Sequence, residues 1–396
     1  MEYKANALDM IEACYAPTKK PVVYCHIQFT SHINIMQLHY ALLKCIEVVP
    51  QLFCHFDDIK NVWIPIRPIS TKALIFEYDK VSPLPIFDVL HDPQIRLHVV
   101  HEDTYDSLHI GMSHIVCDGS GFKQLLYMLC DFYNDPNHIV KEKNIHDMTR
   151  LSIDDAACNE KATRYKTGEM GLPFESDGND FQSAVLSFSK EEFQCIHASA
   201  KQRGATINDI FLYAYGRVLQ AIKKTDNIRI PCPADLRPHL LETPALTIGN
   251  FTGEYFCTFN MHGKDTNQIL REIHNQMVQE KTHNKDLKLI VLLHRAYVCV
   301  PKFVMRKFMY KFHRTPDISY TNVGIFDETR LYFKDTPIDH FYISTSYRKW
   351  PRFQATLSTY KGECTLSCNL LGGEKNQEEA YKLLTMFKDV LTIEFV

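Results

Sequence analysis

The sequence has no surplus of positive charge, no unbroken apolar run, no closely paired cysteines and no short repeat, and each absence removes a class of protein. Its 44 Lys and Arg stand against 47 Asp and Glu, for a formal charge of -3. The two signs are interspersed, so there is no broad positive field to collect nucleic acid. The N-terminal segment carries Glu2, Lys4, Asp9 and Glu12 where a secretory signal would place an apolar block, and a cytoplasmic protein is therefore expected. The most apolar stretch, residues 287–304, is interrupted by Lys288, His294, Arg295, Pro301 and Lys302. A lipid-spanning helix does not readily tolerate these, so no transmembrane span is predicted. The 13 cysteines are odd in number, scattered and never form a C-x-x-C pair, which argues against zinc ribbons and disulfide frameworks. They read as small buried apolar residues in a reducing compartment. Cys364 and Cys368 share one face of a predicted strand, and no metal is assigned to them. No internal repeat recurs at a fixed period.

What is present is ordinary globular material, 45% apolar and 23% charged, in a chain of 396 residues that is long for one core and favours two, with a cleft between them. Strands are expected over residues 22–30, 52–56 and 62–67. A helix with apolar Ile35, Leu38, Leu42, Ile46 and Val49 ends at Pro50. Residues 94–101 and 108–114 read as a hairpin, followed by an amphipathic helix carrying Phe122, Leu125, Leu126, Leu129, Phe132 and Tyr133. Periodicity fades over residues 134–180, the natural linker. The expected organisation is a first half at 1–165, a linker at 166–182 and a second half at 183–396. In the second half, Ser189 with Glu192 and Thr206 with Asp209 open two successive helices. A short strand at 228–231, a Pro-rich turn, a strand at 251–259 and a helical region at 267–314 follow. Strands at 318–323, 340–346, 353–359 and 364–370 and a closing helix at 377–391 complete an α/β or α+β architecture.

The most informative segment is Ser113-His114-Ile115-Val116-Cys117-Asp118-Gly119. It sets an imidazole at a strand end, a carboxylate four residues on, and a glycine where the chain turns into the next helix. If Leu108, Ile110 and Met112 face inward, the period of two turns His114 inward as well. A free imidazole titrates near about 6.5 and is largely able to accept a proton at neutral pH, as a general base must. The alternative is a core histidine bonded to backbone. Cys117 as a nucleophile is disfavoured because the alternation turns it away from His114. His98, His101 and His109 lie on hairpin strands without a carboxylate at matching spacing, and read as packed or solvated.

With its companions this segment resembles the superfamily that unites chloramphenicol acetyltransferases, non-ribosomal peptide condensation domains, plant BAHD acyltransferases, wax ester synthases and alcohol acetyltransferases. Ser113-His114-x-x-x-Asp118-Gly119 is similar to its His-x-x-x-Asp-Gly motif. Thr206-Ile207-Asn208-Asp209, Pro233-Ala234-Asp235-Leu236-Arg237, Gly249-Asn250-Phe251 and Thr321-Asn322-Val323-Gly324 resemble its later motifs, in order, over nearly the whole chain. The resemblance implies two chloramphenicol acetyltransferase-like subdomains in a V with a tunnel between them and His114 as catalytic base. Asp118 paired with Arg237, together with Gly119, would support the turn, and Asp118 also suits a helix N-cap. Ser113 stands where the longer motif has a first histidine. Ser113, Asn250 and Asn322 are candidate substrate-binding residues, with turn capping as the alternative for the asparagines. The implied reaction carries an acyl group from acyl-CoA, or from a carrier protein's phosphopantetheine thioester, to an alcohol or amine. No tightly bound cofactor and no metal is called for. A non-catalytic binding protein of the same fold is the contrasting reading.

Overall fold

Reciprocal side-chain caps start several helices. The Asn6 amide donates to Asp9 Oδ2 at 2.9 Å and the Asp9 amide donates back to Asn6 Oδ1 at 3.0 Å. Ser189 with Glu192 (2.8 and 3.1 Å) and Thr206 with Asp209 (2.7 and 3.2 Å) do the same, as their spacing predicts. The computed structural model describes residues 2–16, 19–79, 88–146, 148, 151, 171–241, 246–283, 287–312 and 315–396. Its helices are α1 (Ala7–Tyr15), α2 (Ile35–Val48), α3 (Gly119–Asn134), α4 (Lys190–Gln202), α5 (Ile207–Lys223), α6 (Thr266–His283), α7 (Leu287–Cys299), α8 (Lys302–Phe312) and α9 (Glu374–Phe395). The expected helical region at 267–314 is thus three helices, with Pro301 immediately before α8.

Two mixed sheets carry the architecture. The first runs in spatial order Ile338–Ser344, Val22–Phe29, Asp106–Ser113, Ile95–His101 and Ile75–Tyr78. The predicted hairpin is at its centre, with His98 opposite His109. The second runs Ile318–Phe326, Phe353–Tyr360, Glu363–Gly372, Tyr347–Lys349 and Lys19–Lys20, and Asp180–Phe188 also pairs along Glu363–Gly372. A separate ribbon pairs Asn227–Asp235 with Thr252–Asn260 over nine residues.

These pairings correct several sequence expectations. Part of the expected linker, residues 152–170, lies outside the described residues, and its last three residues, 180–182, already belong to the strand Asp180–Phe188. The expected Pro-rich turn after Pro231 is instead strand through Asp235. Pro231 and Pro233 are two apart, so both missing N–H groups fall on the same side of the two-stranded ribbon. The expected strand at 52–56 begins at Cys54, because Pro50–Phe53 forms a 3-10 turn.

The sheets do not respect a boundary near residue 165. The strand Ile338–Ser344, from late in the chain, is an edge of the first sheet, with Tyr342 opposite His26. Lys19–Lys20, from the start, closes the second sheet against Tyr347–Lys349, with Lys19 opposite Arg348. Accordingly the core beneath the first sheet contains Phe326, Leu331, Ile338, Phe341 and Ile343 beside Val22, Leu108 and Phe122. A second core gathers α4, α5, α9 and the second sheet, and a third packs α1 against α7 and α8. We therefore predict that Ile343→Ala, a fully buried residue, destabilises the sheet built by the N-terminal part of the chain by about 2–5 kcal/mol. Urea unfolding monitored by circular dichroism measures this, and a loss under a few tenths of a kcal/mol would contradict the shared core.

Candidate active site

The strand Asp106–Ser113 ends one residue before His114, and the chain then makes a compact turn into α3. The His114 amide donates to the Pro21 carbonyl at 2.7 Å, and the Val116 amide to the Ser113 carbonyl at 3.1 Å. Ile115, Val116 and Cys117 are fully buried and plug the turn into the first core. Burial raises the Cys117 thiol well above its ordinary range, so it is no nucleophile.

Asp118 is the N-cap of α3, accepting from the Gly121 amide at 2.8 Å. It is also the hub of the site, and both expected roles hold together. Arg237 donates to it through two nitrogens, at 2.9 and 3.1 Å, and the Phe251 amide (2.8 Å) and Thr252 hydroxyl (2.9 Å) complete its shell. Burial alone would raise the Asp118 carboxyl, but Arg237 and these donors outweigh it and hold the group below the usual range. Arg237 reaches further, to Thr247 Oγ1 and the Thr247 carbonyl at 2.9 Å, the Gly249 carbonyl at 3.1 Å and Asp235 Oδ1 at 2.9 Å. The pair is 3% and 12% exposed.

Gly119 departs from expectation. It is the first residue of α3, and an added Cβ would meet only Val323 Cγ1 at an ordinary 3.7 Å. The close approach falls instead at Gly121, whose Cβ would lie 2.9 Å from Cys117 Cβ and 3.1 Å from the Gly249 backbone.

The candidate substrate-binding residues serve as props. Ser113 is fully buried, its Oγ accepting from the Ile115 amide at 3.3 Å. Asn250 is 2% exposed, and its amide donates to the His114 (3.0 Å) and Ile115 (2.8 Å) carbonyls and to Asp9 Oδ1 (3.0 Å). It holds the turn from within. Asn322 accepts from the Gly324 amide at 2.8 Å across a bulge where Gly324 has φ of 83°, which is the capping role left open above.

His114 itself is 21% exposed, so part of its side chain reaches solvent. Nδ1 is buried and 3.7 Å from Glu12 Oε2 on α1. Lys19 Nζ holds that same oxygen at 2.8 Å. Lys19 and Arg348 are neighbours across the edge of the second sheet and both are buried. Burial lowers both of them, and Glu12 works in the opposite sense. The base of α1 is fixed by buried Asp9, which His146 Nε2 meets at 2.8 Å. Burial opposes a charged His146, but the Asp9 carboxylate wins and raises it. Glu12, Lys19, Asp9, His146 and Arg348 were missed by the motif reading.

The remaining histidines divide. His98 is buried beside the Tyr78 hydroxyl, and His109 shares a 2.8 Å contact with His26. Burial pushes His98 and His109 down to about 4, in keeping with packed neutral rings. His101 does meet a carboxylate, contrary to the spacing argument. Its Nδ1 and that of His32 both lie 2.9 Å from Asp106 Oδ1. Among the described residues this is the one group with a metal-binding donor set, at the end of the strand away from His114.

Comparison with known proteins agrees with this architecture. Residues 248–393 match the family model of the WS/DGAT C-terminal domain. No curated protein matches the chain. The trichothecene 15-O-acetyltransferase TRI3 from Fusarium sporotrichioides superposes with a TM-score of 0.71 at 13% identity, over 100% of this chain and 96% of that one. Polyketide synthase associated protein 5 from Mycobacterium tuberculosis gives 0.68 at 18%, over 96% and 95%. The epimerization domain from the third module of tyrocidine synthetase B gives 0.66 at 14%, over 99% and 98%. The chain thus has the mixed α/β fold of the chloramphenicol acetyltransferase and condensation-domain superfamily to which its motifs pointed.

Asp118→Asn costs about 3–5 kcal/mol near neutral pH because it strands a buried guanidinium. Since the folded carboxyl is held low, its contribution is complete above the unfolded value of roughly 3.9 and is lost as pH falls through the folded one. The gap between wild type and variant in chemical denaturation should therefore close in acid; a gap that widened would refute the assignment. Gly121→Ala should cost about 1–3 kcal/mol by overpacking, whereas Gly119→Ala should be near neutral in the same measurement.

Proposed function

We propose that the protein is an acyltransferase that carries an acyl group from a thioester, acyl-CoA in the first instance, to a hydroxyl or amine, with His114 as general base. The observation that carries this reading is a largely buried imidazole, 21% exposed, just past the end of a central strand, on a turn clamped by a buried Asp118–Arg237 pair. The WS/DGAT match over residues 248–393 and the acyltransferase superfamily fold support acyl transfer as the class of reaction. Among the described residues no helix is long and apolar enough to cross a membrane.

The chemistry needs one lone pair on one ring nitrogen. The Glu12 carboxylate lies 3.7 Å from Nδ1, beyond hydrogen-bond length; in this scheme it draws in to accept the Nδ1 proton, so that Nε2 offers its lone pair to the acceptor. The acceptor oxygen or nitrogen attacks the thioester carbonyl carbon as Nε2 removes its proton. Collapse of the tetrahedral species breaks the C–S bond, and Nε2–H returns the proton to the departing thiolate. No covalent enzyme intermediate is required. Asp118 touches no substrate in this scheme, and its effect on rate passes through the position of His114.

His114→Ala should lower kcat by about 10²–10⁴-fold with folding unchanged; acyl transfer at wild-type rate in a folded His114→Ala protein would sink the proposal. Thiol release from acyl-CoA in the presence of an alcohol or amine panel is the assay, with an acyl-carrier protein as the parallel donor. Glu12→Gln should reduce kcat by about tenfold or more with little change in KM, since it removes the group that selects the tautomer.

A further inference from the structure

Helices α7 and α8 combine two properties that folded surfaces seldom show together. Residues 287–312 contain six Lys or Arg and no Asp or Glu. They also expose large apolar side chains: Leu289 at 65%, Leu292 at 48% and Val298 at 63% on α7, with Phe303 at 67% and Val304 at 43% on α8. Scattered apolar residues are normal on a surface, but a group of this size on two consecutive helices is not.

The placement is directional. Both helices bury one side in the third core, where Ile290, Val291, Met305 and Met309 pack with Leu8, Met10 and Ile11 of α1. Their exposed apolar residues therefore lie on the sides turned away from α1. Ile59, 66% exposed at the tip of the turn between Cys54–Asp57 and Val62–Pro65, extends the patch. With Phe303, Lys307 and Tyr310 it lines a shallow depression. Arg306 anchors that turn through an ion pair with Asp58. Arg295 and Lys307 are exposed and stand among the apolar groups with no carboxylate on either helix.

We infer that this face is a docking surface for an anionic lipid bilayer, with the apolar residues entering the headgroup boundary and the basic residues resting on the negative surface. The charge of the segment selects this occupant. A second copy of the chain would bring its own exposed Arg295 and Lys307 to the contact, and like charges across an interface repel. A bilayer with anionic headgroups accepts both the apolar and the cationic component at once. The surface would bring the enzyme to acyl chains or acceptors of low water solubility, although the inference stands on the helices alone and does not depend on the role of His114.

The test is co-sedimentation of the full-length protein with vesicles of phosphatidylcholine alone and with a quarter phosphatidylserine. Binding to the anionic vesicles, weak binding to the neutral ones and weakening by salt are expected. Leu289→Ser with Phe303→Ser should weaken anionic-vesicle binding about tenfold or more. Arg295→Gln with Lys307→Gln should weaken it by about fivefold per residue. Both double variants should keep the wild-type circular dichroism and thiol-release activity on a soluble thioester. Absence of binding to anionic vesicles overturns the inference, as does binding that neither variant changes. A self-association seen by light scattering in wild type and lost in the serine variant, without vesicle binding, would assign the face to a second copy and overturn it equally. Loss of activity in His114→Ala leaves all these outcomes untouched, so the two proposals fail separately.

Discussion

The bidentate contact between Asp118 and Arg237 is the constraint on which the site depends. It joins a turn at the head of α3 to a loop that follows the ribbon strand Asn227–Asp235, across 119 residues of sequence. Both partners are almost fully removed from water, and neither is tolerable there alone. The carboxylate also caps α3 and binds the start of the opposing ribbon strand through Phe251 and Thr252. One ionised group thereby fixes a helix, a turn and a strand relative to one another. Because His114 sits on that turn, its place in space is a consequence of an ion pair it does not touch.

A second layer fixes the imidazole itself. Asn250 ties the carbonyls of His114 and Ile115 to Asp9, and Asp9 is the residue that closes the cap of α1. The same helix carries Glu12 toward His114 Nδ1. Backbone and ring are thus controlled from one short N-terminal helix whose own start is secured by a buried charge. The buried cations Lys19 and Arg348 flank Glu12 from the edge of the second sheet, so the electrostatic surroundings of the ring draw on both ends of the chain.

What could be read from the sequence was what is written locally. Caps such as Ser189 with Glu192 involve residues three apart, and amphipathic helices repeat within a turn or two, so both were legible. His114, Asp118 and Arg237 were legible because they fall in short ordered motifs. Asn250 was located correctly, with substrate contact and holding the turn left open between them, and it holds the turn. Position in a motif does not reveal which way a side chain points, and burial decides that it meets backbone. Glu12 counted only as one charge among several near Met1, and only folding brings it beside a histidine 102 positions later. The edge strand Ile338–Ser344 read correctly as a strand, but its attachment to Val22–Phe29 depends on sheet edges that no local pattern specifies.

That attachment has a consequence for how the molecule is made. As the chain leaves the ribosome, Val22–Phe29 emerges early and its neighbour on the open side is not synthesised until residues 338–344 appear. The growing first lobe must wait with an unpaired strand edge and an unfinished core, the condition in which nascent chains associate wrongly. An order of assembly in which residues 338–344 complete a sheet begun by residues 22–29 leaves that edge open for the whole interval between the two syntheses.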